Sequence, residues 1–212
     1  DQSDIYLLQE LKTIEDGFPK EIIKNAGYQS YVNGQKAWNG VAILSKEKLE
    51  ITNTSIPKYD DPNARFIETE IKLKKIKKNI KLINIYLPNG NPIETEKFDY
   101  KIKWMKKFNS YIKDLKNKNI PIIISGDFNV IPTDDDVYSP ENFKNDACAH
   151  PLTREQYRIL INMGFTDLVK HFVEGKTNWT FWGYRGGGWQ KGNGLRIDHF
   201  LTTANITDLV KN

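Results

Sequence analysis

Two polar side chains directly follow a strongly apolar run in the middle of the chain. Residues 120–125 contain three consecutive isoleucines, whose stiff, β-branched side chains are typical of a buried strand. Gly126 then frees the backbone to turn, and Asp127 and Asn129 lie two residues apart, so that both can point at a ligand beyond the strand. The alternative is that the two side chains only make Asx-type turn hydrogen bonds. The spacing therefore predicts either a ligand site or a turn.

Other strand ends carry side chains of the same chemical kind. Glu10 follows one run of aliphatic residues, Tyr86 and Asn89 flank the end of another, and Asp198 lies in a third. Hydrolysis of a phosphate ester needs a hard divalent cation on oxygen ligands, a group that positions water, and donors around the phosphoryl oxygens. Because Mg²⁺ prefers one or two carboxylates plus water, Glu10 alone can suffice, with Mn²⁺ as the alternative ion. Carboxylates at strand ends also cap turns, so each signal is weak by itself.

The composition is typical of a globular protein with one domain. The 212 residues are 39% hydrophobic and 27% charged, and no linker or repeat divides them. The net charge of +4, from 31 basic and 27 acidic residues, permits a polyanionic partner without requiring one. The single cysteine, Cys148, excludes an internal disulfide and a cysteine-rich zinc site. Since no signal peptide and no apolar run of membrane-spanning length is visible, we expect a cytoplasmic protein without a membrane partner.

Hydrophobic periodicity predicts an α+β protein whose strands are joined by both hairpins and helices. Strands are predicted at residues 5–8, 29–33, 40–45, 65–73, 80–87, 120–125, 177–182 and 196–201. Apolar residues in steps of three and four predict a helix over residues 98–115, and a shorter helix is predicted over residues 19–26. Thr153-Arg154-Glu155-Gln156 has the pattern of a capping box, which predicts that a third helix begins there and runs to Gly164.

Two segments carry clusters of cations. The basic run at residues 74–78 is interpreted as the solvated tip between two strands. Residues 183–194 combine glycines, two aromatic residues, an arginine and a lysine. Such a segment is either part of the aromatic core or a surface that stacks on bases and touches phosphates.

Five segments together are far more specific than any single residue. In chain order they are Leu7-Leu8-Gln9-Glu10, Asn39-Gly40-Val41-Ala42-Ile43-Leu44-Ser45, Tyr86-Leu87-Pro88-Asn89, Gly126-Asp127-Phe128-Asn129-Val130 and Gly194-Leu195-Arg196-Ile197-Asp198. Over essentially its whole length the sequence resembles the exonuclease III class of apurinic/apyrimidinic (AP) endonucleases, in the endonuclease/exonuclease/phosphatase superfamily. The resemblance implies a DNase I-like fold, a four-layer α/β sandwich of two facing mixed sheets flanked by helices. It also implies a monomeric, Mg²⁺-dependent repair nuclease acting on double-stranded DNA at abasic sites and 3′ ends.

The resemblance assigns a role to each matching residue at the strand ends. Glu10 matches the metal ligand, Asp127 the aspartate that activates or orients the attacking water, and Asn129 its neighbour. Tyr86 matches the tyrosine that approaches the scissile phosphate, and Asn89 matches a phosphate contact.

Further positions match residues that contact DNA in the family. An apolar pocket that accepts an abasic sugar and excludes an intact nucleotide by bulk is implied at Phe181, Leu195 and Ile197. Contacts with the DNA groove are implied at Arg185 and Trp189, and phosphate contacts at Asn142 and Asn145, where a gap is needed to align the segment.

The sequence departs from the family at both ends. Relatives begin with a strand carrying a Trp-Asn pair and end with a Ser-Asp-His motif, so we expect an internal fragment without the catalytic histidine and with little activity. Asp198 matches the aspartate that orients this histidine. His199 follows Asp198 on a predicted strand, so their side chains should point to opposite faces. His171 lies beside an apolar stretch and His150 in a loop, and neither is predicted to take over the role.

Two other functions remain open at this point. Inositol phosphate phosphatases and sphingomyelinases use the same metal and Asp-Asn arrangement on other phosphate esters, although residues 183–198 favour DNA. The second alternative is a DNA-binding module that has lost catalysis, which the absent histidine favours.

Overall fold

The computed structural model describes residues 3–72, 78–173, 178–183 and 186–211. The strands, in chain order, are β1 (Ile5–Gln9), β2 (Gln29–Asn33), β3 (Val41–Ser45), β4 (Glu50–Asn53), β5 (Phe66–Ile71), β6 (Ile80–Tyr86), β7 (Ile122–Asp127), β8 (Phe165–Asp167), β9 (Phe181–Trp182), β10 (Gly194–Leu195) and β11 (Asp198–Thr203). The α-helices are α1 (Lys20–Asn25), α2 (Glu96–Asn117), α3 (Pro151–Asn162), α4 (Leu168–Phe172) and α5 (Ala204–Thr207). Within the described ranges, no helix has the length and apolarity that crossing a membrane requires.

The chain forms two compact units. The first comprises Asp1–Tyr86 and Asp114–Gly126, and the second comprises Leu87–Lys113 and Asp127–Asn212. In the first unit, β1, β3 and β2 form an antiparallel sheet in that order, in which the central strand β3 is almost completely buried. The predicted hairpin of β2 and β3 is confirmed, and α1 packs against β2.

The first unit also contains strands β4, β5, β6 and β7, which are hydrogen-bonded neighbours in that order. The pairs β4–β5 and β5–β6 are antiparallel. Lys81 N–H bonds to Pro121 O before β7, and Leu87 N–H bonds to Asp127 O at its end, so β6 and β7 run in the same direction. The sheet is therefore mixed, and β5 and β6 pack against β1 and β3 of the other sheet.

The second unit is built around paired strands and helix α2. Strand β11 pairs with β8 in antiparallel fashion, and α3, α4 and α5 pack against this pair. Strand β9 pairs with β10. The predicted apolar stripe of α2 is confirmed, since its members in this unit are buried: Phe98, Ile102, Met105, Phe108 and Ile112.

The capping-box prediction at Thr153 is wrong, because α3 begins at Pro151. Proline suits the first turn of a helix, and His150 Nδ1 accepts the Leu152 N–H at 3.2 Å. Thr153 is buried inside the helix and donates its hydroxyl to Ala147 O at 2.7 Å. The side chain that caps the helix is therefore a histidine, which the threonine pattern did not indicate.

Strand bounds also differ from the predicted ones. Strand β11 begins at Asp198, because the Arg196 N–H bonds to Asp136 O in a loop and its side chain turns into the core. Strand β9 covers only Phe181–Trp182 of the predicted range, and Thr177 lies outside the described residues. Strand β7 extends to Asp127, which is thus the last residue of a strand. Residues 74–77 of the predicted basic tip, and Leu73 before them, also lie outside the described residues.

Candidate active site

In the first unit, Glu10 and Tyr86 meet although they are far apart in the sequence. Glu10 follows β1 and Tyr86 ends β6, and the Tyr86 phenol donates a hydrogen bond to Glu10 Oε1. Lys12 Nζ lies 3.2 Å from Glu10 Oε2, on a carboxylate side chain that is 48% exposed. The phenol hydrogen bond, together with the charges of Lys12 and Arg65, holds the pKa of Glu10 below its ordinary value. Glu10 is therefore ionised at neutral pH.

Arg65 supports Tyr86 from the neighbouring strand. Its guanidinium lies over the Tyr86 ring, 5.0 Å from the centroid, and Nη1 donates to Tyr86 O at 3.1 Å. A cation over an aromatic face is attracted by the ring quadrupole. Local sequence patterns do not indicate a role for Arg65 in the site, since a single arginine at a strand end is most simply interpreted as a surface ion pair.

In the second unit, Asp127 and Asn129 form one hydrogen-bonded arrangement. The Asn129 backbone N–H donates to Asp127 Oδ1 at 2.8 Å, and Asn129 Nδ2 donates to Asp127 Oδ2 at 3.2 Å. Asn129 has a left-handed backbone with φ of +47°, and its Nδ2 also donates to Leu87 O at 2.9 Å. The Asx-type turn is thus formed, and the same bonds fix the orientation of the Asp127 carboxylate.

Asn89 joins this arrangement from another segment. Its Nδ2 donates to Asn129 Oδ1 at 3.1 Å, and Cys148 Sγ lies 3.8 Å from both amide groups. Beneath them, the fully buried Lys101 donates from Nζ to Asn129 O at 2.8 Å and to Pro88 O at 2.9 Å. The sequence analysis missed Lys101, although its position three residues after Phe98 and four before Met105 places it on the apolar stripe of α2.

Asp198 lies at the start of β11 and is half-buried. Its backbone N–H donates to Thr180 Oγ1 at 3.1 Å. Burial raises the pKa of Asp198 above its ordinary value, and a side-chain hydrogen bond with Thr180 opposes the rise. The predicted separation of Asp198 and His199 agrees with the buried His199 ring, whose nitrogens face Val130 O and Arg196 Nη1.

The other two histidines occupy different surroundings. His150 caps α3 and contacts the Phe98 ring, with 4.5 Å between ring centroids. His171 is exposed on α4 beside Phe172. Among the contacts of the described residues, no histidine side chain bonds to Asp198.

The three residues predicted to form an apolar pocket have different exposures. Phe181 is 40% exposed and lies opposite Leu195 in the β9–β10 pair. Ile197 is buried in a core cluster with Ile131 and Val137, and Leu195 packs against this cluster. A cavity of about 360 Å³ is lined by Phe181, Trp182 and Trp189 together with Thr180, Gly183, Gly188 and Gln190. Phe181 therefore lines this cavity, whereas Leu195 and Ile197 do not.

The residues predicted to contact DNA are exposed wherever they are described. Trp189 is 67% exposed, and its ring meets that of Trp182 edge to face at 4.5 Å. Asn142, in a short 3-10 helix, and Asn145 are also exposed. Arg185 lies outside the described residues. The roles of these four residues stay predictions.

A divalent ion would find one suitable protein ligand at Glu10. The described residues contain no group of three or more His, Cys, Asp or Glu side chains arranged to hold a metal. Mg²⁺ binds through one or two carboxylates and keeps several waters, so a single ionised and partly exposed carboxylate fits its chemistry. The Lys12 ammonium lies beside this carboxylate, so the Glu10 side chain already attracts one cation in the structure.

Comparison with known proteins extends these local observations to the whole chain. The model of the endonuclease/exonuclease/phosphatase family matches residues 1–210. Exodeoxyribonuclease III of Haemophilus influenzae is 32% identical, over 98% of this chain and 80% of that protein. The 3′-5′ exonuclease of Neisseria meningitidis has a TM-score of 0.90 at 32% identity, over 99% of this chain and 80% of that structure.

A solved AP endonuclease from Archaeoglobus fulgidus has a TM-score of 0.87 at 32% identity, over 97% of this chain and 78% of that structure. These similarities confirm the predicted α+β fold with mixed sheets, of the type seen in AP endonucleases and DNase I-like proteins. The chain therefore belongs to the endonuclease/exonuclease/phosphatase family, and within it to the group of the exodeoxyribonuclease III and AP endonuclease enzymes.

Proposed function

We propose that the chain is the nuclease domain of a Mg²⁺-dependent DNA repair enzyme of the exodeoxyribonuclease III type. Its substrate is double-stranded DNA, hydrolysed at abasic sites and at 3′ ends. The observation that carries the proposal is the pairing of family-matched residues from distant segments, Glu10 with Tyr86 and Asn89 with Asn129. Relatives named as exodeoxyribonuclease III and AP endonuclease support the choice of DNA as substrate.

In this proposal Asp127 orients the attacking water and accepts its proton. Asn129 donates one hydrogen bond to each carboxylate oxygen of Asp127, and these two bonds hold the carboxylate in one orientation for the water. The water oxygen forms the new bond to phosphorus, the bond to the 3′ oxygen breaks, and that oxygen takes a proton from solvent. Asn129 thus sets the direction of the carboxylate on which the attack depends.

Asn89 supplies a donor for the phosphoryl oxygens, and its amide is fixed by its bond to Asn129. The Tyr86 phenol has one proton, which it donates to Glu10 Oε1, so Tyr86 would orient the carboxylate of the metal ligand. Donors that are already oriented stabilise the charge that develops in the transition state without further reorganisation. Glu10 would hold Mg²⁺, which when bound would supply positive charge beside the phosphate.

A DNA-binding module without catalysis is the second candidate, and one observation favours it. All three histidines lie in the described ranges, and each contacts a residue other than Asp198: His150 the Leu152 N–H, His171 the Phe172 ring, and His199 the Arg196 guanidinium. Loss of one member of a catalytic set still leaves residual rate enhancement from oriented donors and binding. We therefore expect the 212-residue chain to bind abasic duplex and to cleave it slowly.

The test compares cleavage of an abasic duplex, an intact duplex and a phosphoinositide in the presence of Mg²⁺, by wild type and Asp127→Ala. We expect slow cleavage 5′ to the abasic site in wild type. In Asp127→Ala, the rate should fall below about a tenth of the wild-type rate because the water loses its proton acceptor. Duplex binding should be largely kept. The matched control is Asp135→Ala, an exposed acid of the 3-10 helix Asp134–Asp136, which should leave the rate unchanged.

The other outcomes separate the rival functions. Preferential binding of abasic duplex without cleavage that depends on Asp127 identifies the DNA-binding module. Hydrolysis of the phosphoinositide in preference to DNA overturns the proposal in favour of another phosphoesterase. Cleavage by Asp127→Ala at more than about a tenth of the wild-type rate rejects the role of Asp127.

A further inference from the structure

Asn84 is a fully buried amide in the middle of β6, and its three hydrogen bonds all go to the other sheet of the first unit. Nδ2 donates to Leu8 O at 2.9 Å and to Ala42 O at 2.8 Å. Oδ1 accepts from Gln9 Nε2 at 2.7 Å. Only one orientation of the amide satisfies these three bonds, because the two carbonyls need donors and the Gln9 amide nitrogen needs an acceptor. The side chain thus fastens β6 to both β1 and β3.

An amide at this position needs an explanation beyond packing. The other interior side chains of β6 on the same face are apolar, Ile80 and Leu82, and both are buried. A buried polar group that lacks a partner is costly, so Asn84 stabilises the fold only while every bond is kept. An apolar side chain of similar size would fill the same volume without this dependence.

The chain links Asn84 directly to the Glu10–Tyr86 pair. Gln9, the partner of its Oδ1, immediately precedes Glu10. Tyr86 follows Asn84 by two residues on the same strand, so the two side chains lie on the same face. The Gln9–Asn84 bond therefore lies one residue before Glu10 along the chain and two residues before Tyr86 along β6.

The backbone conformation of Glu10 depends on the residues that hold it from both sides. Glu10 has a φ of +54°, a left-handed conformation that is unfavourable for a residue with a side chain and persists only where neighbours hold it. After Glu10, Leu11 N–H bonds to Gly40 O at 3.3 Å and Lys12 N–H bonds to Asn39 O at 3.0 Å. Before Glu10, the Asn84 amide holds both Leu8 O and the Gln9 side chain.

We propose that Asn84 is a positioning residue, which through Leu8, Gln9 and Ala42 sets Glu10 against Tyr86 for metal binding and phosphate hydrolysis. The inference deepens the proposed function and rests on it. Asn84 touches neither substrate nor metal in this scheme, and its effect is transmitted by the two strand ends.

The test uses Asn84→Leu, with Leu82→Ala as the matched control on the same face of the same strand. Both changes disturb a buried position of β6, so both should lower the melting temperature. Only Asn84→Leu should lower the rate at saturating abasic duplex, by about tenfold to a hundredfold, since a small displacement of reacting groups is enough for such a loss. The affinity of Mn²⁺ in the absence of DNA, measured by titration, should fall in Asn84→Leu and stay unchanged in Leu82→Ala.

Gln9→Leu keeps the inference testable if Asn84→Leu does not fold. Gln9 is half-buried, and its loss removes one of the three bonds of Asn84. We expect the same direction of change in rate and in Mn²⁺ affinity, with a smaller size. Unchanged rate and unchanged Mn²⁺ affinity in Asn84→Leu or Gln9→Leu overturns the positioning role. If wild type binds Mn²⁺ but does not cleave DNA, the proposed function fails, and the Mn²⁺ affinities of the variants still decide this inference.

Discussion

His199 has a defined protonation state because its two ring nitrogens face different partners. Nδ1 lies 2.8 Å from Arg196 Nη1, and since a guanidinium has only donors, Nδ1 must accept. Nε2 therefore carries the proton and donates to Val130 O at 2.9 Å. Complete burial and the charge of Arg196 lower the pKa of His199 to about 4. The ring is neutral at physiological pH and anchors the segment that follows Asn129.

This depressed pKa predicts how stability depends on pH. Between an unfolded pKa near 6.5 and the folded value of about 4, the unfolded chain binds a proton at His199 that the folded chain excludes. The free energy of unfolding should therefore fall as the pH falls, by about 1.4 kcal/mol per pH unit within this window. Urea unfolding between pH 7 and pH 5 measures the slope, above the range where most carboxylates titrate.

The matched control is His171→Gln, which changes an exposed histidine and should keep the slope. In His199→Leu the slope should become shallower, although the variant loses stability at every pH. A wild-type stability that does not change from pH 7 to pH 5 contradicts the prediction.

Site residues at strand ends can be predicted from the sequence, whereas residues whose hydrogen-bond partners are distant in the chain cannot. Glu10 and Tyr86 lie at the ends of apolar runs, a pattern visible in the sequence, and the family match predicted a site role for both. Asn84 lies inside such a run, and its partners are carbonyls of β1 and β3 that no local pattern identifies. A polar residue within a buried strand was the available signal, but its meaning depends on which backbone lies opposite.

Among the elements, α2 shows how one helix supports two loops. Lys101 lies on its apolar stripe and is fully buried, with Nζ bonded to Pro88 O and Asn129 O. Gly90, with a φ of +87°, packs so closely that an added Cβ would lie 2.5 Å from Lys101 Cδ. Helix α2 thereby holds the loops that carry Asn89 and Asn129.

We predict that Lys101→Met destabilises the protein by about 2–4 kcal/mol, because two buried carbonyls lose their donor. The rate of DNA cleavage should also fall as Asn89 and Asn129 lose their support. Thermal or urea unfolding and the abasic-duplex assay measure the two effects. Lys106→Met, at an exposed position of the same helix, should change neither, and equal behaviour of the two variants would refute the role assigned to Lys101.

Helix boundaries illustrate what local patterns do and do not determine. The amphipathic stripe predicted α2, and the structure extends the helix at both ends. The start of α3 was misplaced because Thr153, which has the pattern of a cap, bonds to Ala147 O six residues earlier. Capping depends on which acceptor lies nearby, and that is decided by the packing of the preceding loop.

The glycine-rich segment between β9 and β10 presents the ring of Trp189 to solvent. Trp189 is 67% exposed and is braced by Trp182. Stacking of a base or sugar on such a ring contributes about 1–3 kcal/mol per contact, so Trp189→Ala should weaken duplex binding about fivefold or more. Fluorescence anisotropy with a labelled abasic duplex measures the change. Ile22→Ala, at an exposed apolar position of α1, serves as the control, and an unchanged affinity in Trp189→Ala removes this residue from the DNA surface.

At the scale of the whole molecule, the charge total explains little of the expected recognition. The net charge of +4 comes from 31 basic and 27 acidic residues, so attraction for a polyanion must come from local patches. Non-specific binding to DNA through phosphate contacts is strongly dependent on salt. We predict that selection of an abasic site depends instead on the fit of a sugar against apolar side chains such as Phe181, an interaction that salt does not screen.

These two origins of affinity predict different responses to ionic strength. Raising the KCl concentration should weaken binding to abasic and to intact duplex by the same factor, because both lose the same phosphate contacts. The ratio of the two dissociation constants should therefore stay constant within about a factor of two. Anisotropy titrations of both duplexes at several salt concentrations measure this ratio, with Phe181→Ala as the variant that should reduce it at every concentration. A ratio that approaches one as salt rises would show that abasic selectivity is electrostatic, and that the apolar side chains do not select the substrate.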